Sequence, residues 1–142
     1  MGESVVRRPE KYDDVIEALK DSKVFKTYKD VFVFAASLGF KNDKRVVFDS
    51  HKKSIDIEIF RGDLEKTIMN SIAMLVTDEP GVIGNRRADE KILIFEEYAC
   101  GGLEIIKHQI FDASREVDEG ILSLILQEKD EHSLLDSITD FI

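Results

Sequence analysis

Cys100 is the strongest nucleophile in the sequence, and catalysis by it would require a histidine or another base within hydrogen-bonding distance. The three histidines, His51, His108 and His132, are widely separated and form no His-x-x-x-His pair. Structural zinc normally takes four nitrogen or sulfur ligands, which one cysteine and scattered histidines do not supply at a typical spacing. We therefore expect Cys100 to pack as a small apolar residue, and we expect no catalytic residue, no metal and no cofactor.

Acidic residues dominate the second half of the chain. Residues 63–142 hold 18 Asp and Glu against 7 Lys and Arg, whereas residues 1–62 hold 11 against 13. Adjacent carboxylates such as Glu96 and Glu97 could act in acid–base chemistry only if burial changed their pKa values. In so acidic a chain, we expect such carboxylates to lie on solvated helix faces.

Basic residues of the first half are the candidates for contact with DNA. They cluster before the first predicted helix and in the polar segment 41–54. Such residues can neutralise backbone phosphates if they share one surface. The candidate DNA-binding residues are Arg7, Arg8, Lys44, Arg45, Lys52 and Lys53. The alternative is that segment 41–54 is a solvated loop, and the acidity of the chain limits any DNA contact to a local patch.

The elements that would position these residues are mostly helices. The sequence predicts a mainly α fold: one compact helical domain, residues 1–142, with about five to seven helices and a minor strand element. Pro9 begins the first predicted helix, whose apolar face carries Tyr12, Val15, Ile16 and Leu19. Thr27 is expected to cap a second helix. Its sequence VFVFAASLGF is apolar almost all round, so we expect this to be the buried central helix.

The middle of the chain contains the strand signals and a third helix. The alternating sequence IDIEIF, residues 55–60, predicts a short strand. Asp63 is expected to cap the next helix, whose apolar stripe consists of Ile68, Ile72, Leu75 and Val76. The N-terminal sequence SVVRRP followed by two helices resembles a ribbon-helix-helix layout, in which paired strands can read a DNA groove.

Gly101 and Gly102 interrupt a pattern that is otherwise helical and is expected to be capped by Asp89. A glycine inside a helix costs roughly 0.8–1 kcal/mol relative to alanine, so a pair of them needs a structural reason. Either one helix ends there and another begins, or a neighbouring element approaches closely. We favour one long helix with a close-packing face at Ala99, Gly101 and Gly102.

The C-terminal segment is apolar enough to suggest a contact. One helix is predicted through GILSLILQ, and a last amphipathic turn or two from Ser133. The candidate partner-binding residues are Leu134, Leu135, Ile138 and Phe141, which would dock on the body of the protein or on a second subunit. No apolar run approaches the roughly 18 residues of a membrane span, and a single cysteine is typical of a reducing cytoplasm.

Several longer stretches resemble a known family. They are VRRPEKYDDVIEAL, VFKTYKDVFVFAASLGFK, IDIEIFRGD and EKILIFEEYACGGLEII, and the similarity is clearest over residues 5–106. These stretches resemble the small DNA-phosphorothioation (dnd) system-associated protein of bacteria, encoded beside the genes that replace a backbone oxygen of DNA with sulfur. The middle section is also faintly similar to the small helical subunit of that machinery, a ribbon-helix-helix-like DNA-binding oligomer.

The resemblance implies an accessory role in a DNA modification and defence locus, without chemistry of its own. The preferred hypothesis is a noncatalytic interaction protein whose partners are other phosphorothioation or restriction proteins. The alternative is a DNA-binding accessory or regulator that acts through the basic residues of the first half. A nuclease or hydrolase is the least favoured, because it would need clustered carboxylates or histidines. A homo-oligomer is compatible with either role.

Overall fold

The computed structural model describes residues 5–131, apart from the side chains of residues 52 and 128–131. Within these residues, five α-helices and two strands follow one another, so the mainly α fold with a minor strand element and the predicted number of helices are confirmed. In chain order the elements are β1 (Val5–Pro9), α1 (Asp13–Asp21), α2 (Tyr28–Lys41), β2 (His51–Asp56), α3 (Asp63–Thr77), α4 (Ala88–Ile106) and α5 (Val117–Glu131).

Short helical turns connect these elements. One 3₁₀ turn, Glu10–Tyr12, separates Pro9 from α1, so Pro9 ends the strand instead of beginning the helix. Other 3₁₀ turns follow β2 and occupy the α3–α4 connection, at Ile57–Phe60, Pro80–Ile83 and Asn85–Arg87. A π-helical turn, Lys107–Phe111, continues α4 before the chain reverses toward α5.

The two strands pair with each other in an antiparallel ribbon. Val6 lies opposite Ile55, and the register shifts between Arg7 and Pro9. The predicted strand at 55–60 is therefore wrong in its bounds: it runs over 51–56, where β1 supplies its partner. The Asp56 side chain accepts a hydrogen bond from the Glu58 amide and starts the 3₁₀ turn. The ribbon-helix-helix order of strand and two helices is present, but β1 pairs with β2 of its own chain.

The central helix is α4, which corrects the expectation that α2 occupies this position. Every residue from 94 to 103 is buried, whereas α2 exposes Ser37 and leaves Val33 and Phe34 partly accessible. Helix α4 packs against α1, α2, α3 and β1. The apolar sequence of α2 therefore covers one side of α4, and α4 itself, with two glutamates in its middle, passes through the interior.

The predicted faces of the flanking helices are mostly correct. All four residues of the α1 face are buried, and Thr27 caps α2 by accepting a hydrogen bond from the Asp30 amide at 3.1 Å. In α3 the stripe is displaced: Met69, Ile72 and Ala73 are buried, whereas Leu75 is 69% exposed. The predicted caps of α3 and α4, Asp63 and Asp89, are wrong by one and two positions, because the capping positions are Gly62 and Arg87.

Gly101 and Gly102 lie inside α4, which confirms one long helix with a close-packing face. A Cβ atom at Gly102 would overlap the backbone carbonyl of Ala35 in α2, and one at Gly39 would overlap the carbonyl oxygen of Tyr98 in α4. At Gly101 it would overlap the carbonyl oxygen of Lys44, just after α2. On this side of α4, the backbones of neighbouring segments are therefore in direct contact. A residue larger than glycine at these positions would prevent that contact.

The variant Gly102→Ala tests this contact. In an open helix, alanine would stabilise by about 1 kcal/mol, but here the added methyl group must push α2 away. We expect a net loss of about 2–3 kcal/mol in the free energy of unfolding, measured by urea denaturation followed by circular dichroism. Gly81→Ala is the control, because no atom lies within 4 Å of its Cβ position. A Gly102→Ala protein as stable as this control would contradict the close approach.

Candidate functional site

Glu96 and Glu97 are the unusual residues of the protein interior. They are adjacent on α4, and their exposed fractions are only 3% and 6%. A carboxylate is very costly to bury unless it is paired and hydrogen-bonded. The expectation that these carboxylates lie on a solvated helix face is wrong, because α4 is covered on all sides and each glutamate meets an arginine from another segment.

Glu96 binds β1 through both of its oxygens. Its Oε2 accepts a hydrogen bond from the backbone amide of Arg7 at 2.6 Å, and its Oε1 accepts one from Arg7 Nε at 3.0 Å. The Arg7 guanidinium also lies over the Phe48 ring, 4.7 Å from its centre. The buried Glu96 carboxylate therefore connects α4 with β1 through one charge-assisted hydrogen bond and one hydrogen bond to the backbone. The Arg7 side chain extends this connection to Phe48, in the segment between α2 and β2.

Glu97 holds the polar segment after α2 in a similar way. Arg45 Nε donates to Glu97 Oε1 at 2.7 Å, and the Val46 amide donates to the Glu97 carbonyl at 3.0 Å. About two turns further along α4, Glu104 lies 2.8 Å from the ammonium group of Lys44. Residues 51–54 of the segment predicted as a solvated loop belong to β2, and the part between α2 and β2, which has no regular secondary structure, is fixed along α4 by these contacts.

Tyr12 extends this row of polar contacts. Its hydroxyl group is hydrogen-bonded to Glu104, and burial, together with the nearby Glu104 carboxylate, raises the pKa of Tyr12 to about 12. The hydrogen bond from Lys44 is the largest influence that lowers the pKa of Glu104, and the hydrogen bond from Tyr12 adds to it. At neutral pH, Glu104 is therefore a carboxylate held between an ammonium group and a neutral phenol.

Arg8 belongs to a second group of charges, between β1 and α1. It is buried, and its Nη2 donates to Asp13 and to Glu17, each at 2.7 Å. Its guanidinium lies 4.5 Å from the ring centre of Tyr28, whose hydroxyl donates to Glu17 at 2.9 Å. Burial by itself would lower the pKa of Arg8, but the bonds to Glu17, Tyr28 and Asp13 outweigh it and raise that pKa.

The structure thus places five of the six candidate DNA-binding residues in ion pairs. Besides the four already described, Lys53 lies 3.7 Å from Glu17 and 3.9 Å from Asp13. The side chain of Lys52 lies outside the described part. These contacts neutralise much of the positive charge that a DNA backbone would need, although Lys53 and Lys44 keep exposed surface. DNA binding through these residues stays a prediction.

Cys100 and the histidines do not form a reactive centre in the described residues. Cys100 is buried, and burial raises the pKa of its thiol to about 12, so that it is protonated at neutral pH. His108 is exposed and lies 3.2 Å from Asp112. Within residues 5–131, no group of three His, Cys, Asp or Glu side chains could hold a metal ion. Within that part of the chain, no helix is both long and apolar enough to cross a bilayer.

An apolar stripe on α5 is the most distinctive surface of the described residues. Ile121 and Leu124 face the core, but Leu122, Ile125 and Leu126 are 56%, 47% and 49% exposed. The latter three are spaced i, i+3 and i+4, so they share one face of the helix. We call these three residues the α5 stripe. The candidate partner-binding residues Leu134, Leu135, Ile138 and Phe141 lie outside the described part, and their role stays a prediction.

A shallow groove borders the α5 stripe. It has a volume of about 170 Å³ and is lined by Phe34, Ser37, Leu38, Lys41, Leu124 and Ile125, so α2 forms one wall and α5 the other. The sequence predicts a helix through GILSLILQ but does not show which of its apolar residues a neighbouring element covers. A signal for this surface was present, because five large aliphatic residues among eight are more than one buried face of a helix accommodates.

Comparison with known protein families identifies a match over most of the chain. The model of a protein family described as DNA sulphur modification system-associated protein 4 matches residues 5–141. The match covers β1, all five helices and the segment beyond α5. No curated protein and no solved structure matches the chain.

Arg7→Gln tests whether Arg7 has a structural function. The substitution removes the guanidinium and leaves Glu96 buried with only its backbone partner, so we expect a loss of about 2 kcal/mol or more in the free energy of unfolding. Lys107→Gln is the control, since it breaks an exposed pair with Asp112 and should cost no more than about 0.5 kcal/mol. Equal stability of the two variants in urea denaturation would show that the Arg7–Glu96 pair contributes little.

Glu104→Gln tests the second carboxylate through its pH dependence. The folded protein lowers the pKa of Glu104 below the value of roughly 4.3 expected for an unfolded chain. The resulting stability is present above that value and is lost as the pH falls through the folded pKa. We therefore expect Glu104→Gln to melt at a lower temperature than the original protein at neutral pH, and the difference to shrink as the pH falls below the unfolded-chain value of roughly 4.3. A difference in Tm independent of pH would contradict this assignment.

Proposed function

Because the chain belongs to the DNA sulphur modification system-associated protein 4 family, we propose that it is a noncatalytic accessory protein that binds another protein of a DNA sulphur modification system or of a linked restriction system. The association with such a system comes from the family, and the protein–protein contact is our inference. The proposed location is the cytoplasm, where such a system would meet DNA.

The observation that carries this proposal is the α5 stripe, which no element among the described residues covers. Three large aliphatic side chains on one helix face, next to an apolar groove, form a surface typical of protein interfaces. An amphipathic helix in a partner could pack along such a stripe and cover the groove at its side. The carboxylates Glu96, Glu97 and Glu104 of α4, by contrast, are already paired with basic side chains and stabilise the fold.

The absence of a reactive arrangement is consistent with the proposal but does not carry it. Cys100 is protonated at neutral pH, and Glu96 and Glu97 each bind an arginine inside the protein. A group that already holds a structural ion pair would have to break it before it could transfer a proton to a substrate. We therefore assign these residues to structure and the α5 stripe to recognition.

An affinity purification from the native host tests the proposal. The full chain, tagged at its N-terminus, is expected to recover a protein encoded by the host's own sulphur modification or restriction locus, identified by mass spectrometry. Leu122→Glu/Leu126→Glu should reduce that recovery at least tenfold, because charged side chains would have to be buried at the interface.

The matched control is Leu64→Glu/Leu75→Glu, which introduces the same charges on α3, where both leucines are more than 65% exposed. This control should recover the same partner as the original protein, and thermal melts should show that both variants are folded. Failure of the original protein to recover any protein of the locus would refute the proposed function. Equal recovery by all three proteins would instead refute the assignment to the α5 stripe.

A further inference from the structure

A basic cleft lies between the turn after β2, helix α3 and the first turn of α4. It has a volume of about 380 Å³, and three cationic side chains line it: Arg61, Lys66 and Lys91. The other lining residues are Ile57, Phe60, Met69, Asn85, Ala88 and Ile92. No carboxylate is among these described residues, although the chain as a whole has a net charge of −9. We name this feature the basic cleft.

The acidic residues nearest in sequence do not neutralise the two lysines. Glu65 binds Lys29 at 2.7 Å, and Glu90 binds Arg87 at 2.8 Å. Within the described part of the chain, neither Lys66 nor Lys91 forms an ion pair. Arg61 pairs with Glu58, but both side chains are 60% exposed. Such a surface pair contributes little and can exchange its partner for a ligand.

The position of Lys91 in the basic cleft disfavours the charged form of its side chain. It is partly buried, and burial, together with the nearby charge of Lys66, lowers the pKa of its ammonium group. Two like charges beside an apolar wall destabilise the folded protein unless an anion neutralises them. Ala88 is the first residue of α4, and no side chain caps the amides of that turn. The same turn carries the carboxylates of Asp89 and Glu90, so the attraction for an anion comes from the three cationic side chains of the cleft and not from the helix end.

We propose that the basic cleft binds a phosphate group, supplied either by a small phosphate compound or by the backbone of a nucleic acid. Lys66 and Lys91 would neutralise the anion, and Arg61 would donate paired hydrogen bonds to its oxygens. The Asn85 side chain would offer a further donor. The size of the cleft is in the range of small-ligand sites. This inference is independent of the α5 stripe and of the proposed protein partner.

Isothermal titration calorimetry at low salt tests the proposal with three probes: inorganic phosphate, deoxyadenosine monophosphate and a 12-nucleotide DNA, single-stranded or duplex. We expect saturable binding of at least one probe. Binding of the small probes would indicate a phosphate compound as ligand, whereas binding of the oligonucleotide alone would indicate a DNA backbone, with an affinity that falls steeply with salt.

The variant Lys66→Gln/Lys91→Gln should weaken this binding at least tenfold. It should also raise the Tm of the free protein, because it removes the repulsion between the two ammonium groups. Lys107→Gln/Arg115→Gln is the matched control, with the same change in net charge near the other end of α4, roughly 27 Å along the helix axis. This control should bind like the original protein. No saturable binding of any probe, or equal weakening by both double variants, would overturn the proposal.

Discussion

The burial of α4 along ten consecutive residues is the constraint on which the rest of the structure depends. A helix covered on every side must satisfy two demands at once. Its backbone must be approached closely somewhere, which the glycines at 101 and 102 permit. Its charged groups must find partners, because an unpaired buried carboxylate would cost several kcal/mol or more. Glu96 and Glu97 therefore determine where β1 and the segment after α2 can lie.

This constraint also changes the meaning of the charge distribution. Basic residues of the first half pair with acidic residues of the second half along α4, whereas the ion pairs beside α1 join residues of the first half with one another. Arg7, Arg8 and Arg45, which the sequence offers as candidates for DNA binding, each form an ion pair with a carboxylate. Lys66 and Lys91, which form no ion pair within residues 5–131, lie elsewhere, in the basic cleft at the opposite end of α4 from the π-helical turn. We therefore expect recognition surfaces in regions of the protein whose side chains are not engaged in these interior ion pairs.

Local patterns gave most of the fold. The α1 face, the Thr27 cap and the continuous helix through the two glycines follow from spacing and propensity, and the structure confirms them. The errors have a common origin. The strand at 55–60, the identity of the central helix and the exposure of Leu75 each depend on which element covers which face. Periodicity shows that a face is apolar, but it does not show what packs on it.

By itself, the sequence determined the helical class, the approximate positions of the elements and the resemblance to a family that the comparison then established. Only the tertiary structure decided which charges are neutralised and which are free. The reason is that an ion pair such as Arg7 with Glu96 joins residues 89 positions apart, and its energy depends on distance and burial. Neither quantity can be read from the local sequence. The sequence by itself therefore does not distinguish an arginine that contacts DNA from one that forms a structural ion pair.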